Sequence, residues 1–129
     1  MQSAAKTVLV VDDDVEFAEM LRMRLAAGNY RVVTARNGKE GLARAKEESP
    51  DVILLDVMMP GMDGGDVALA MRQNPKLAAI PIIFLTAAVS EKETKAHKGL
   101  IGGEFFIAKT ADLRRVVNEI ETCLAQRLK

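Results

Sequence analysis

The chain has 129 residues, and its 18 basic and 18 acidic side chains cancel, which excludes a sequence-wide electrostatic attraction to nucleic acid or to a membrane surface. At 49% hydrophobic residues it can build one compact domain and is too short for two. One cysteine, Cys123, excludes an internal disulfide, and neither a leader pattern nor an apolar run of about 18 residues is present, so a soluble cytoplasmic protein is expected.

Val8 to Val11 is a short apolar run that reads as a buried strand ending at Asp12. Asp14 can cap the following helix, in which Phe17, Met20, Leu21 and Leu25 recur at three- and four-residue spacing, and Gly28 can end it. Tyr30 to Ala35 mixes polar and apolar residues, as a sheet-edge strand does, and Asn37 to Glu48 reads as a second helix. Val52 to Leu55 is a third strand stopping at Asp56, followed by Met58-Met59-Pro60-Gly61-Met62-Asp63-Gly64, which its proline and glycines make a loop. A third helix runs to about Asn74, where Pro75 stops it. Ile80 to Leu85 supplies a fourth strand leading to Thr86, and Ser90-Glu91-Lys92-Glu93 is a capping box for a helix ending near Gly99. Phe105 to Ala108 is a fifth strand leading to Lys109. Leu113, Val116, Val117, Ile120 and Leu124 define a closing amphipathic helix, on whose apolar stripe Cys123 is an inert buried thiol.

Five strands alternating with five helices predict an α/β, flavodoxin-like doubly wound domain: a five-stranded parallel sheet with helices on both faces, because each parallel crossover needs a helix and is right-handed. The order 2-1-3-4-5 leaves the second and fifth runs at the edges. Ligands of such sheets bind outside the carboxyl ends of the strands, where Asp12, Asp56, Thr86 and Lys109 would meet. Asp12, Asp13 and Asp56 crowd carboxylates that raise each other's proton affinity unless a cation neutralises them. Oxygen ligands without His or Cys favour Mg²⁺ over zinc. Lys109 offers a point charge and Thr86 a hydroxyl to phosphoryl oxygens. Asp56, on the central strand, is the best candidate for a nucleophile that becomes an aspartyl phosphate.

Taken together, Val10-Val11-Asp12-Asp13-Asp14, Leu54-Leu55-Asp56-Val57-Met58-Met59-Pro60-Gly61-Met62-Asp63-Gly64, Leu85-Thr86-Ala87 and Lys109 resemble the receiver domain of two-component response regulators. The resemblance spans essentially the whole chain, as one receiver domain over 1–129 with an ordered core of about 6–127. It implies that Asp56 is the phosphoacceptor. It also implies that Asp12 and Asp13 hold Mg²⁺, Asp13 directly and Asp12 directly or through water, with the backbone carbonyl of Met58 as a further ligand. Thr86 and Lys109 bind the phosphoryl oxygens. Movement of Thr86 makes room for the Phe106 ring to turn inward, which alters the face built from the fourth helix, fifth strand and closing helix. The implied partners are a sensor histidine kinase or histidine phosphotransfer protein, and a downstream protein target or fused output domain. A phosphorylation-dependent dimer is also compatible; direct nucleic-acid binding and membrane association are not implied. Such a domain assists only its own phosphorylation and dephosphorylation, and is not an enzyme on an external substrate.

Several residues depart from the family's pattern. Thr110 stands where proline after a cis bond is usual; a non-proline cis bond costs about 2.5–4 kcal/mol, so a trans peptide, a rearranged loop and a Lys109 displaced from Asp56 are expected. Phe106 lacks a tyrosine hydroxyl, so ring burial must do the switching. Met58 and Ala88, two residues beyond Asp56 and Thr86, cannot orient a hydrolytic water, so slow loss of phosphate is expected. The glycine-rich segment 99–103 fits either a loosened output face or a tight turn. Singly, some residues have plainer readings: Met58, Met59 and Met62 as loop packing, Phe106 as core, and His97 as an exposed side chain. A haloacid-dehalogenase-like phosphatase needs a second Asp where Met58 stands. A flavodoxin or nucleotide-binding enzyme needs a glycine- and hydroxyl-rich loop where Asp12 to Asp14 stand. The remaining alternative is a receiver-like protein-interaction scaffold that is never phosphorylated.

Overall fold

A computed structural model describes residues 5–87, 100–101, 104–109 and 112–127 of the chain. Along it run β1 (Thr7–Val11), α1 (Val15–Ala27), β2 (Arg31–Ala35), α2 (Gly38–Glu48), β3 (Val52–Asp56), α3 (Gly64–Arg72), β4 (Ile82–Thr86), β5 (Leu100–Ile101), β6 (Glu104–Ala108) and a C-terminal helix, α4 (Leu113–Arg127). The helix expected from Ser90 to Gly99, with His97 on it, lies outside the described residues, as do Ala88, Gly102, Gly103 and Thr110.

The sheet order is β2-β1-β3-β4-β6-β5. Its first five members are mutually parallel and keep the order predicted for the five apolar runs. One expectation is corrected: β6 is not an outer strand. Leu100 faces Phe105 and Ile101 faces Glu104 in an added antiparallel pair. Two residues in sequence, Gly102 and Gly103, separate the paired segments.

Alternation divides the buried residues between two faces. Val8, Val10, Leu54, Ile83, Leu85 and Ile107 meet α1 through Leu21 and Leu25 and α4 through Val116 and Ile120. Leu9, Val11, Ile53, Leu55 and Phe84 meet α2 through Ala45 and α3 through Val67 and Met71. Every residue of β3 and β4 is buried, which is why these strands are continuous apolar runs. Cys123 joins the first face; burial, with Glu119 second, pushes its thiol pKa up, in keeping with an inert thiol.

Helix starts follow local hydrogen-bond chemistry. The Asp14 carboxylate accepts from the Phe17 N–H at 3.1 Å, and Asn37 Oδ1 accepts from the Glu40 N–H at 2.8 Å. At α3, Asp63 and Asp66 each accept from the other's backbone N–H, a reciprocal box that fixes the end of the loop after Asp56. Within that loop Met59 is buried and Met62 packs against the core, as loop packing requires, whereas Met58 departs from that reading with 68% of its surface exposed. No helix among the described residues is long and apolar enough to cross a membrane.

Candidate functional site

Strand register assembles the site. Val11 is paired with Leu55, and the Asp12 N–H donates to the Ala35 carbonyl at 3.0 Å, so the ladder carries on past β1 and brings Asp12 level with Asp56. At the next strands Thr86 faces Ala108, and the Lys109 N–H donates to the Thr86 carbonyl at 3.0 Å. By alternation Asp12, Asp56 and Lys109 fall on the side covered by α1 and α4, while Thr86 follows Phe84 to the side of α2 and α3.

Asp12, Asp13 and Asp56 each bring a carboxylate oxygen to within 4.8 Å of one another. Asp12 and Asp56 are buried and Asp13 is exposed. Lys109 Nζ lies 2.9 Å from Asp12 Oδ2 and 3.4 Å from Asp56 Oδ2, and 5.0 Å from the centre of the Phe17 ring. The expected displacement of Lys109 is therefore corrected: its ammonium stays in contact with Asp56. The physical reason is the pair of buried carboxylates, whose attraction at these distances outweighs any preference of the chain beyond it. The remaining oxygens have backbone donors, the Asp14 N–H to Asp12 Oδ1 at 2.9 Å and the Met58 N–H to Asp56 Oδ1 at 3.3 Å.

Three carboxylates against one ammonium leave an excess of two negative charges in the cluster. The donors are all oxygen, and one of the three is open to solvent. A hard divalent cation fits this set by charge and by ligand type.

Burial, then the neighbouring Asp12 charge, push the Asp56 carboxyl up to about 6 from 3.8, against the lowering effect of Lys109. Burial alone would lower the Lys109 pKa, but its contacts with Asp12 and Asp56 hold it above the ordinary lysine value. The native Asp56 carboxyl takes up its proton near pH 6, whereas the unfolded one does so near 3.8, so the native state binds more protons between these values. This group's contribution to stability therefore grows as pH falls through that window and is lowest above it. Without metal, Asp56→Asn is expected to stabilise the protein at pH 7.5 by on the order of 2 kcal/mol, with the gain vanishing towards pH 4. Urea unfolding of both proteins across that range checks it.

Thr86 is buried at the end of β4, one register step beyond the partner of Asp56. Phe106 is half-buried and stacks on its register partner Phe84, with ring centres 5.0 Å apart. The structure thus brings Asp12, Asp13, Asp56 and Lys109 together and places Thr86 and Phe106 on the opposite face's alternation. Two participants were missed in the sequence. Phe17 was legible only as part of a helical apolar stripe. Gly64 was legible only as a loop residue, although a Cβ there would stand 2.4 Å from the Asp56 carbonyl oxygen.

Known proteins resemble the chain over most of its length. A family model described as the response regulator receiver domain matches residues 8–121. The transcriptional regulatory protein ResD of Bacillus subtilis is 37% identical over 123 residues, which cover 95% of this chain and 50% of ResD. The chain thus spans about half the length of such relatives. The polar-differentiation response regulator DivK of Brucella anthropi is 32% identical over 120 residues, covering 92% of this chain and 96% of DivK. Among solved structures, the chemotaxis protein CheY4 of Vibrio cholerae superposes with a TM-score of 0.80 at 30% identity, covering 94% of this chain and all of that one. With a family model matched over most of its length and a relative of nearly the same span, the chain belongs to the response regulator receiver-domain family.

Proposed function

We propose that the chain is one receiver domain, 1–129, that works as a phosphoacceptor switch in the cytoplasm, with Asp56 taking a phosphoryl group from the phosphohistidine of a sensor kinase or phosphotransfer protein. The observation that carries this reading is a buried carboxylate at the end of the central strand, bridged by Lys109 to a second carboxylate and flanked by a third. In the step, an Asp56 carboxylate oxygen attacks phosphorus in line as the P–N bond breaks. The bonding pair leaves with the imidazole nitrogen, and an acyl phosphate forms.

Asp12, Asp13, Asp56 and the Met58 carbonyl would hold Mg²⁺, which when bound offsets the negative charge that repels an incoming phosphoryl group. Lys109 supplies a fixed positive charge to a phosphoryl oxygen, and the Thr86 hydroxyl donates to another. Drawing Thr86 towards the phosphoryl group makes room for Phe106, whose partial exposure and stacking on Phe84 support a ring able to turn inward. The changed face, around β6 and α4 and the segment before them, would then select a protein target, a fused output domain or a second copy. The exposed Met58 side chain offers no hydrogen bond to a hydrolytic water, which supports a long-lived mark.

The test is incubation with acetyl phosphate and Mg²⁺ followed by intact mass measurement. The chain is expected to gain one phosphoryl group in a Mg²⁺-dependent manner, and Asp56→Asn to gain none. No gain in the unmodified chain would leave the unphosphorylated scaffold as the reading.

A further inference from the structure

We infer that Phe17 is a positioning residue for Lys109, holding the ammonium at the site while its carboxylate partners change. This rests on the phosphoacceptor reading and extends it to a residue outside the cluster of polar groups. Among the described residues the ammonium has three partners: Asp12 Oδ2 at 2.9 Å, Asp56 Oδ2 at 3.4 Å and the face of the Phe17 ring at 5.0 Å. Both carboxylates are ones a divalent cation would claim, and Asp56 is the one that would be modified. The ring partner alone is unchanged by either event.

Phe17 is also tied to one of these carboxylates, that of Asp12, through Asp14. Asp12 Oδ1 accepts from the Asp14 N–H at 2.9 Å, and Asp14 Oδ1 accepts from the Phe17 N–H at 3.1 Å. With the Lys109 contacts these bonds close a circuit, Asp12 to Asp14 to Phe17 to Lys109 and back to Asp12. The ring and the Asp12 carboxylate are therefore set by one turn of chain, and the ammonium sits between them. Close packing does not dictate the ring's place on every side, because it borders a cavity of about 210 Å³ lined also by Leu21, Leu85, Ala108 and Leu113. The ring packs against the core on one side and has room on another, and the quadrupole of its face attracts the ammonium that stands over it.

The consequence is directional. Lys109 and a divalent cation compete for Asp12 and Asp56, so an anchor that favours the ammonium opposes the cation slightly while keeping Lys109 ready for the phosphoryl oxygens. In Phe17→Leu the maximal rate of phosphorylation by acetyl phosphate is expected to fall about three- to tenfold, with half-saturating Mg²⁺ unchanged or lower. A merely structural defect would instead raise half-saturating Mg²⁺ as the rate falls. Phe17→Tyr keeps the ring and should restore the rate.

A second readout needs no phosphorylation. The ε-methylene protons of Lys109 should show an upfield ring-current shift by NMR that is present in the unmodified chain and in Phe17→Tyr and lost in Phe17→Leu. An unchanged rate in Phe17→Leu, a raised Mg²⁺ requirement, or no ring-current shift in the unmodified chain would each overturn the inference. An unmodified chain that takes no phosphoryl group overturns the acceptor reading instead; the Mg²⁺ titration and the methylene shift still decide whether Phe17 holds Lys109.

Discussion

Lys109→Met is expected to destabilise the metal-free protein by about 3 kcal/mol near neutral pH, because it strands buried carboxylates without their cation. Methionine keeps much of the lysine stem's length and its contact with Phe17, so the charge is the chief loss. Asp12 is fully buried, and among the described residues Lys109 is the cation that reaches both it and Asp56. Urea unfolding should show this loss shrinking as pH falls towards 6, because Asp56 in the variant is freed of the lowering effect of Lys109 and takes up its proton at a higher pH than in the parent. Mg²⁺ should recover most of it. Half-saturating Mg²⁺ should fall, because the ammonium no longer competes for the same oxygens. The rate of phosphorylation at saturating Mg²⁺ should nevertheless drop by about 100-fold or more, since a fixed charge facing the transferring group is gone. Equal stability and an equal rate would show that Lys109 is a bystander.

Gly64→Ala carries the second large effect, through sterics instead of charge. Gly64 opens α3 and donates its N–H to the Val57 carbonyl at 3.0 Å, which presses the helix start onto the chain just after Asp56. An added Cβ would lie 2.4 Å from the Asp56 carbonyl oxygen and 2.9 Å from the Val57 Cα, both backbone atoms that cannot swing aside. The helix must lift or the strand end must shift, at a cost of about 2–4 kcal/mol. Because the atoms struck belong to Asp56 and its neighbour, Mg²⁺ binding and phosphoryl uptake should weaken along with stability. Gly65→Ala is the control. Among the described residues its Cβ meets only the Asp63 carboxylate, at 3.3 Å, and alanine is the better helix former, so its stability should change by less than about 1 kcal/mol. Denaturant unfolding of both variants, with Mg²⁺ titrations of each, separates the close approach from a general glycine effect.

The strands were legible because β1, β3 and β4 are buried on both faces and so appear as unbroken apolar runs. Each run stops at the polar residue that the sheet then delivers to its edge. Asp14 and Asn37 were legible as caps because capping is local chemistry. The Asp63–Asp66 box was equally local, but Pro60 and Gly61 drew attention to the loop and hid the helix start three residues on. The place of Lys109 was not legible, because the preference at Thr110 is local whereas the two buried carboxylates that hold the ammonium are distant in sequence. Only tertiary structure brings those partners together. Phe17 was invisible for the same reason: helical spacing shows which side of α1 is apolar, not that one ring on it lies beneath a lysine from the far end of the chain. The pairing of β5 with β6 depends on two residues of β5, too short a stretch to carry a period.

Asp56 is the final residue of a strand buried along its whole length and flanked by β1 and β4, whose interiors are also closed to water. Its backbone lies between two parallel ladders, so opening it means parting the sheet and not a local breath. A new charge planted there cannot be relaxed by the floor on which it stands. Yielding is expected first in the largely exposed loop after the strand, residues 57–63, and that mechanical asymmetry would turn a modification of a few atoms into a displacement at the rim.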